Sequence, residues 1–382
     1  MKKQECDGTI FKIVIGKNEA VILMIEYELY WERTKDGNAR LLRVYGTTPY
    51  VSIPSRIAGY PLTELGAYCF AVTAHLPEVY ERTTVSMGDS FEENIYSEGI
   101  FSARRNEHTG VHEESDCSGA ESDCAGRMRE LSGKYIEEVR LPDTVQKIGN
   151  LTFYHCMSLR KLVFGNALNQ IGSDAFMNCR NLHEMTLRGG CRKASGMRQI
   201  LAQISSDMEV TFETEKGIEA VLLFPEYYES YDEIAPAHLF GRNIEGEGFR
   251  ARQCFKDGIM DFKQYDAIFP KACVEESERT LCRLAVNRLL FPVDLGEEEC
   301  KLYVKYIRAH ADYICERVVK ERDMGRIQFL AEQKLLDKSD MENCIRLAAK
   351  EEWAEGSAYF LRLKEQYFSA QKKGDRYSFD DF

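Results

Sequence analysis

Two groups of residues have the types and spacing that chemistry could use. His108 and His112 stand four apart, with Cys117 and Cys124 close behind. On a helix, two histidines at that spacing share a face and could ligate zinc. The Cys-x6-Cys spacing is too wide for a zinc knuckle, however, and Thr109 stands where a zinc protease carries its glutamate. The surrounding segment is almost free of apolar residues, so these four read as solvated loop residues and no metal is expected. Gly246-Glu247-Gly248-Phe249-Arg250-Ala251 fits G-x-G-x-x-A, the turn that brings backbone close to a pyrophosphate at a helix N-terminus. That turn needs a buried apolar strand before it. The preceding HLFGRNIE is not one, so an ordinary loop is expected here and no cofactor.

No G-x-S-x-G, phosphate loop or paired-carboxylate motif is present, so the chain reads as a non-enzyme. Its 13 cysteines are odd in number, and no Cys-x-x-Cys occurs. Buried, reduced thiols are expected rather than a disulfide framework. The opening MKKQECD has no apolar core, so no secretory signal is expected and the cytoplasm is the expected compartment. No apolar run is long enough for a membrane span. A net charge of −12 argues against nucleic acid or an anionic membrane as partner.

Any functional surface must therefore be positioned by a scaffold, and a repeat supplies one. Residues 136–158 and 159–181 superpose at a shift of 23, with Ile148/Ile171, Gly149/Gly172, Phe153/Phe176 and Cys156/Cys179 identical. A third copy begins at Leu182. Val139/Leu141, Leu162/Phe164 and Met185/Leu187 alternate with period two, which predicts short strands with one buried face. The glycine that follows each isoleucine predicts a tight turn. Phe153/Cys156/Leu159 and Phe176/Cys179/Leu182 predict a helical or 3₁₀ turn opposite the strand. A strand, a turn and a return repeated every 23 residues make a solenoid, because no coil can bury its own apolar stripe.

The segment LPDTVQKIGNLTFYHCMSLRKLVF at 141–164 resembles the bacterial leucine-rich repeats of the BspA type, and IPSRIAGYPLTELGAYCF at 53–70 resembles the family's longer variant. The resemblance covers residues 50–72 and 135–190. It implies a curved α/β leucine-rich repeat solenoid whose parallel sheet serves recognition. Many members are bacterial surface proteins, a role that does not carry over without an export signal.

The remaining segments fill in the organisation. Alternation in TIFKIVIG, AVILMIEYELYW and RLLRVYG predicts an N-terminal β cap. Residues 73–134 hold 13 acidic and 6 basic residues and are expected to be a disordered insertion. Met197, Ile200, Leu201 and Ile204 predict a closing helix, followed by strands at 210–212 and 220–224. After Pro292 no proline occurs, and the Leu/Ala/Glu/Lys/Arg-rich sequence predicts an all-α helical-repeat domain. IRLAAKEEWAEGSAYFLRLKE at 345–365 resembles the paired helices of an ankyrin repeat, with Leu284, Val318 and Ala348 marking steps of 34 and 30 residues. The family's Thr-Pro-Leu-His opening is absent. The expected division is a repeat domain at 1–215, an irregular connector at 216–270, a helical domain at 271–370 and a flexible tail at 371–382.

Residues between the buried positions of the strands should point outward. They form the rows Glu138/Lys161/Glu184 and Arg140/Val163/Thr186. Either this is a docking face for another protein, or the Glu–Lys–Glu row simply pairs with itself. The leading expectation is a non-enzymatic protein–protein interaction scaffold. The alternative is an enzyme or ligand sensor at 224–255, where Tyr227, Tyr228, Glu229, Arg250, Arg252 and Cys254 would form a site near the domain junction.

Overall fold

The computed structural model describes residues 10–15, 18–72, 76–88, 104–106, 128–234 and 239–368. These belong to two units: residues 1–219 with 224–261, and residues 220–223 with 262–382.

In the first unit the period-two segments form five parallel strands: Tyr50–Ser52, Glu138–Arg140, Lys161–Gly165, Glu184–Arg188 and Met208–Thr214. Val51, Val139, Leu162, Met185 and Val210 stand in register as one inward row, all buried. A second parallel ladder joins Tyr60–Leu65, Lys147–Ile148 and Gln170–Ile171. Ala39–Gly46 extends this ladder and links it to the antiparallel strands Asn18–Arg33 and Glu81–Gly88. The expected β cap is thus continuous with the solenoid.

The coils touch through small and flat groups. Phe70, Phe153 and Phe176 are buried and stack at 5.0 and 5.2 Å between ring centres, with planes within 2° and 12° of parallel. The Cys156 thiol donates to the Phe70 carbonyl at 3.1 Å, and the Cys179 thiol to the Phe153 carbonyl at 3.0 Å. The Phe–Cys segment is a chain of i to i+3 turns rather than a helix, as in Tyr154 N to Leu151 O and Cys156 N to Phe153 O.

The repeat glycines have a different reason from the one expected. Their φ angles are ordinary; what demands glycine is contact between coils. A Cβ on Gly149 would lie 2.5 Å from the Ala67 nitrogen, and one on Gly172 would strike the backbone of Gly149–Asn150. Gly149→Ala is expected to lower stability by about 1–3 kcal/mol, as overpacking does. Urea unfolding measures this, and a variant as stable as the parent would mean that the coils stack further apart.

Both ends of the ladder are closed by side chains. Turn amides donate to carbonyls of the following coil, as in Phe70 N to Thr152 O and Phe153 N to Ala175 O. The first coil has no predecessor, so the buried Arg43 guanidinium donates to the carbonyls of Tyr68, Cys69 and Ala71. Beyond the last coil stands α1 (Met197–Leu201), the expected closing helix. Gln199 Oε1 accepts from the Ile171 amide at 3.2 Å, and Gln203 Oε1 from the Phe176 amide at 3.4 Å. Glutamine amides replace the backbone of a coil that does not exist, as buried backbone groups require partners.

The insertion and connector depart from expectation. Within 73–134, Glu81–Gly88 is a strand paired with Asn18–Arg33, and Arg129–Glu130 pairs with Ala39–Gly46. The middle, 107–127, lies outside the described residues, as do His108, His112, Cys117, Cys124 and the tail 371–382. Residues 216–270 are not irregular. They hold strand Gly217–Phe224, the hairpin Tyr228–Ile234/Leu239–Glu245, α2 (Gly248–Ala251) and a second small hairpin. The first hairpin shows its described side chains largely to solvent, so no apolar alternation betrays it in the sequence.

The second unit is helical: α3 (Phe262–Asp266), α4 (Phe269–Glu275), α5 (Glu278–Leu290), α6 (Glu297–Ala309), α7 (Ala311–Glu321), α8 (Met324–Glu332), α9 (Lys338–Lys350) and α10 (Ala354–Phe368). Two of the turns between helices hold caps. Asp323 accepts from the Arg326 amide, and Asp337 and Asp340 form a capping box. α7 packs on α9 and α8 on α10, so the two hairpins stack in parallel. Arg322 and Glu352, 30 residues apart, both take the left-handed conformation just after α7 and α9.

Candidate interaction face

The outward rows run across five strands rather than the three expected. One row is Tyr50/Glu138/Lys161/Glu184/Glu209 and the next is Ser52/Arg140/Val163/Thr186/Thr211. Tyr50 and Glu209 were invisible to the repeat comparison. The insertion separates the first strand from its neighbour by 88 residues, and α1 stretches the last step to 25. Tyr50 is 54% exposed, the largest apolar surface on the face.

Glu184 and Arg140 are exposed, while Glu138, Lys161 and Thr186 are half-buried. Val163 departs from expectation: at 3% exposed it is buried. It is a short side chain set between Arg140 and Thr186 in the ladder, so it forms a floor. The Glu–Lys–Glu row does not pair with itself. Glu138 instead accepts from Arg140 in its own strand at 2.6 Å, and Glu184 lies 3.5 Å from His183. Among the described residues Lys161 forms no ion pair. Beyond these rows Arg188 reaches past Gly165 to donate to the Leu141 carbonyl and meet Asp143 at 2.9 Å. That bridge closes one side of the face, and no spacing in the sequence signals it.

The six groups of the alternative site do not converge. Arg252 is a buried clamp: its guanidinium donates to the carbonyls of Ile204 at 2.9 Å, Ser206 at 2.6 Å, Pro225 at 2.5 Å and Gly248 at 2.9 Å. Buried Tyr227 stacks under it, 5.1 Å away. Cys254 is buried, while Tyr228 is exposed. Glu229 pairs with Arg242, and Arg250 with Glu247. The G-x-G-x-x-A stretch follows an antiparallel hairpin strand and opens a four-residue helix, without the parallel strand and long helix that a pyrophosphate turn requires. His155 and Asn178, at the same place in successive coils, bond each other at 3.1 Å.

Burial pushes the Cys156 thiol up to about 12 and raises Cys179 as well. A thiol kept protonated is a poor nucleophile, so the coil cysteines fill space. Cys273 is exposed. Among the described cysteines it is expected to react first with iodoacetamide at pH 8, as read by peptide mass spectrometry. Equal labelling of Cys156 or Cys179 would contradict their burial.

Residues 130–204 match the family described as the BspA type leucine rich repeat region. Among solved structures, a leucine rich cell surface protein from Faecalibacterium prausnitzii A2-165 aligns at 15% identity, covering 50% of this chain and 42% of that one, with a TM-score of 0.23. The chain thus spans less than half of that protein's length. No curated protein matches. Repeat spacing, coil contacts and family match coincide on the same segment, and residues 130–204 are a leucine-rich repeat region of the BspA type.

Proposed function

We propose that the chain is a non-enzymatic scaffold that docks another protein on the outer face of its five-stranded parallel sheet. The observation that carries this reading is that face itself. Tyr50, Arg140, Lys161 and Glu184 project side by side from strands held by a close-packed core, and their charges are not consumed in a cross-strand ladder. An exposed tyrosine beside arginine and mixed charge matches the composition of interface anchors. The helical unit enters the reading as a second, ankyrin-like surface, supported by its stacked hairpins. A reducing, cytoplasmic setting is part of the proposal, supported by ten described cysteines with free thiols.

The test separates binding from folding. Arg140→Ala, Lys161→Ala and Glu184→Ala are each expected to weaken partner capture while changing stability by less than about 0.5 kcal/mol. Capture is read by quantitative pull-down and stability by thermal melting. A metabolite or nucleotide at a hundred times its dissociation constant would add about 2.7 kcal/mol. Such a shift, lost in Arg250→Ala, would overturn the scaffold reading in favour of a ligand sensor.

A further inference from the structure

The helical unit carries a cleft rimmed by arginine. It lies between α5, α7 and the start of α8 and holds about 380 Å³, part of it open to solvent. Its floor is apolar, built from Val286, Ile314 and Val318. Its rim carries Arg279, Arg283, Arg317 and Arg326, against the carboxylate of Glu321. Arg317 and Arg326 share that carboxylate, and Arg326 also meets Asp323 at 3.3 Å. Four guanidinium groups against the two carboxylates of Glu321 and Asp323, in a chain of net charge −12, leave a net positive potential over an apolar floor. Such a site selects a segment with both carboxylates and aromatic rings, because arginine pairs with the first and stacks on the second.

We propose that this cleft is the docking site for the chain's own segment Tyr377–Phe382, in cis. That segment reads Tyr-Ser-Phe-Asp-Asp-Phe: three rings for the floor and two adjacent carboxylates for the rim. The acidic stretch 107–127 has carboxylates but no Phe, Tyr or Trp, whereas 89–103 has both. The tail is preferred because it continues the same unit that carries the cleft, while 89–103 belongs to the first unit. Reach is sufficient. Tyr359 donates to Gln328 and Tyr367 to Glu332, so α10 runs along α8 in the same direction. Phe379 lies eleven residues beyond Phe368, and an extended chain of that length spans ~35 Å. The six residues of α8 between Glu332 and Arg326 rise only ~9 Å. Docking there would make the cleft a self-occupied surface, opened to an outside acidic peptide only by competition.

Photo-crosslinking in the full-length chain tests this. Phe379 is replaced by p-benzoylphenylalanine, and crosslinked peptides are mapped by mass spectrometry on an equal mixture of isotopically light and heavy chains. The expected result is crosslinking to α5 and α7 within one chain. The yield should fall by roughly tenfold with Asp380→Lys and Asp381→Lys together, since like charges then face the rim. Adding Arg283→Glu and Arg317→Glu to those lysines should restore it. Should the glutamate variant fail to fold, the lysine variant alone decides, as its changes lie in the tail. Crosslinks to other elements, crosslinks mainly between light and heavy chains, or a yield indifferent to the lysines would each overturn the proposal.

Discussion

Replacing Phe153 by alanine is expected to remove about 3–5 kcal/mol of stability, the usual range for deleting a large buried aromatic. Phe153 is the middle ring of three, 5.0 Å from Phe70 and 5.2 Å from Phe176. Removing it leaves a cavity facing both neighbours and forfeits two stacked ring contacts at once. The surroundings cannot collapse into that space, because the same coil is fixed by hydrogen bonds from the Phe153 and His155 amides to the Ala175 and Met177 carbonyls and by the Cys179 thiol donating to the Phe153 carbonyl. Phe176→Ala should lose less, since Phe176 stacks on one described ring only. Urea unfolding of both variants measures the order. A loss under about 1 kcal/mol for Phe153→Ala would mean the coil register is wrong.

Asp266→Ala is expected to destabilise the helical unit by about 3–5 kcal/mol, the typical effect of removing one partner of a buried ion pair. Asp266 and Arg288 are both 1% exposed and meet in a bidentate pair at 2.7 and 2.8 Å. Tyr303, buried beside them, donates its hydroxyl to the same carboxylate at 2.8 Å. Burial and the adjacent carboxylate raise the Tyr303 hydroxyl far above its ordinary value, so it remains a donor at any working pH. Arg288 also donates to the carbonyls of Phe291 and Val293, tying down the turn after α5. Without Asp266 a guanidinium would stay buried with no counter-charge. The charge is separable from the rest of the network: Asp266→Leu combined with Arg288→Met should recover part of the loss, because no buried charge is left unpaired. It should not recover all of it, because the Tyr303 hydroxyl and the Phe291 and Val293 carbonyls lose their partners. Hydrogen exchange across α5 and α6 would show whether the damage spreads. Unchanged protection in Asp266→Ala would mean the triad contributes nothing to the unit.

The repeat was legible because stacking imposes one rule on every coil. Val139, Leu162 and Met185 must all be apolar, Gly149 and Gly172 must both lack a side chain, and Phe153 and Phe176 must both be flat. A constraint repeated every 23 residues leaves a sequence trace. The starts of α8 and α9 also have a local cause, since Asp323 and Asp337 cap from within their own turns. The outward face was legible in outline, because period two assigns sides to residues. It was legible neither in extent nor in pairing.

What only the tertiary structure decided are the contacts that join positions far apart in the chain. Tyr50 enters the face across the whole insertion. Arg43 closes the first coil, Gln199 and Gln203 close the last, and Arg188 crosses the neighbouring strand to Asp143. Arg252 looked like a candidate ligand group but is bound to four carbonyls. In each case a long polar side chain satisfies backbone or charge that another part of the chain leaves open. Such a partner is selected by three-dimensional proximity alone. The sequence by itself determined that coils stack and helices pair, since local periodicity encodes both. Which side chains seal the ends and which remain on the face was settled only when the coils came together, because hydrogen-bond satisfaction depends on distance in space and has no period along the chain.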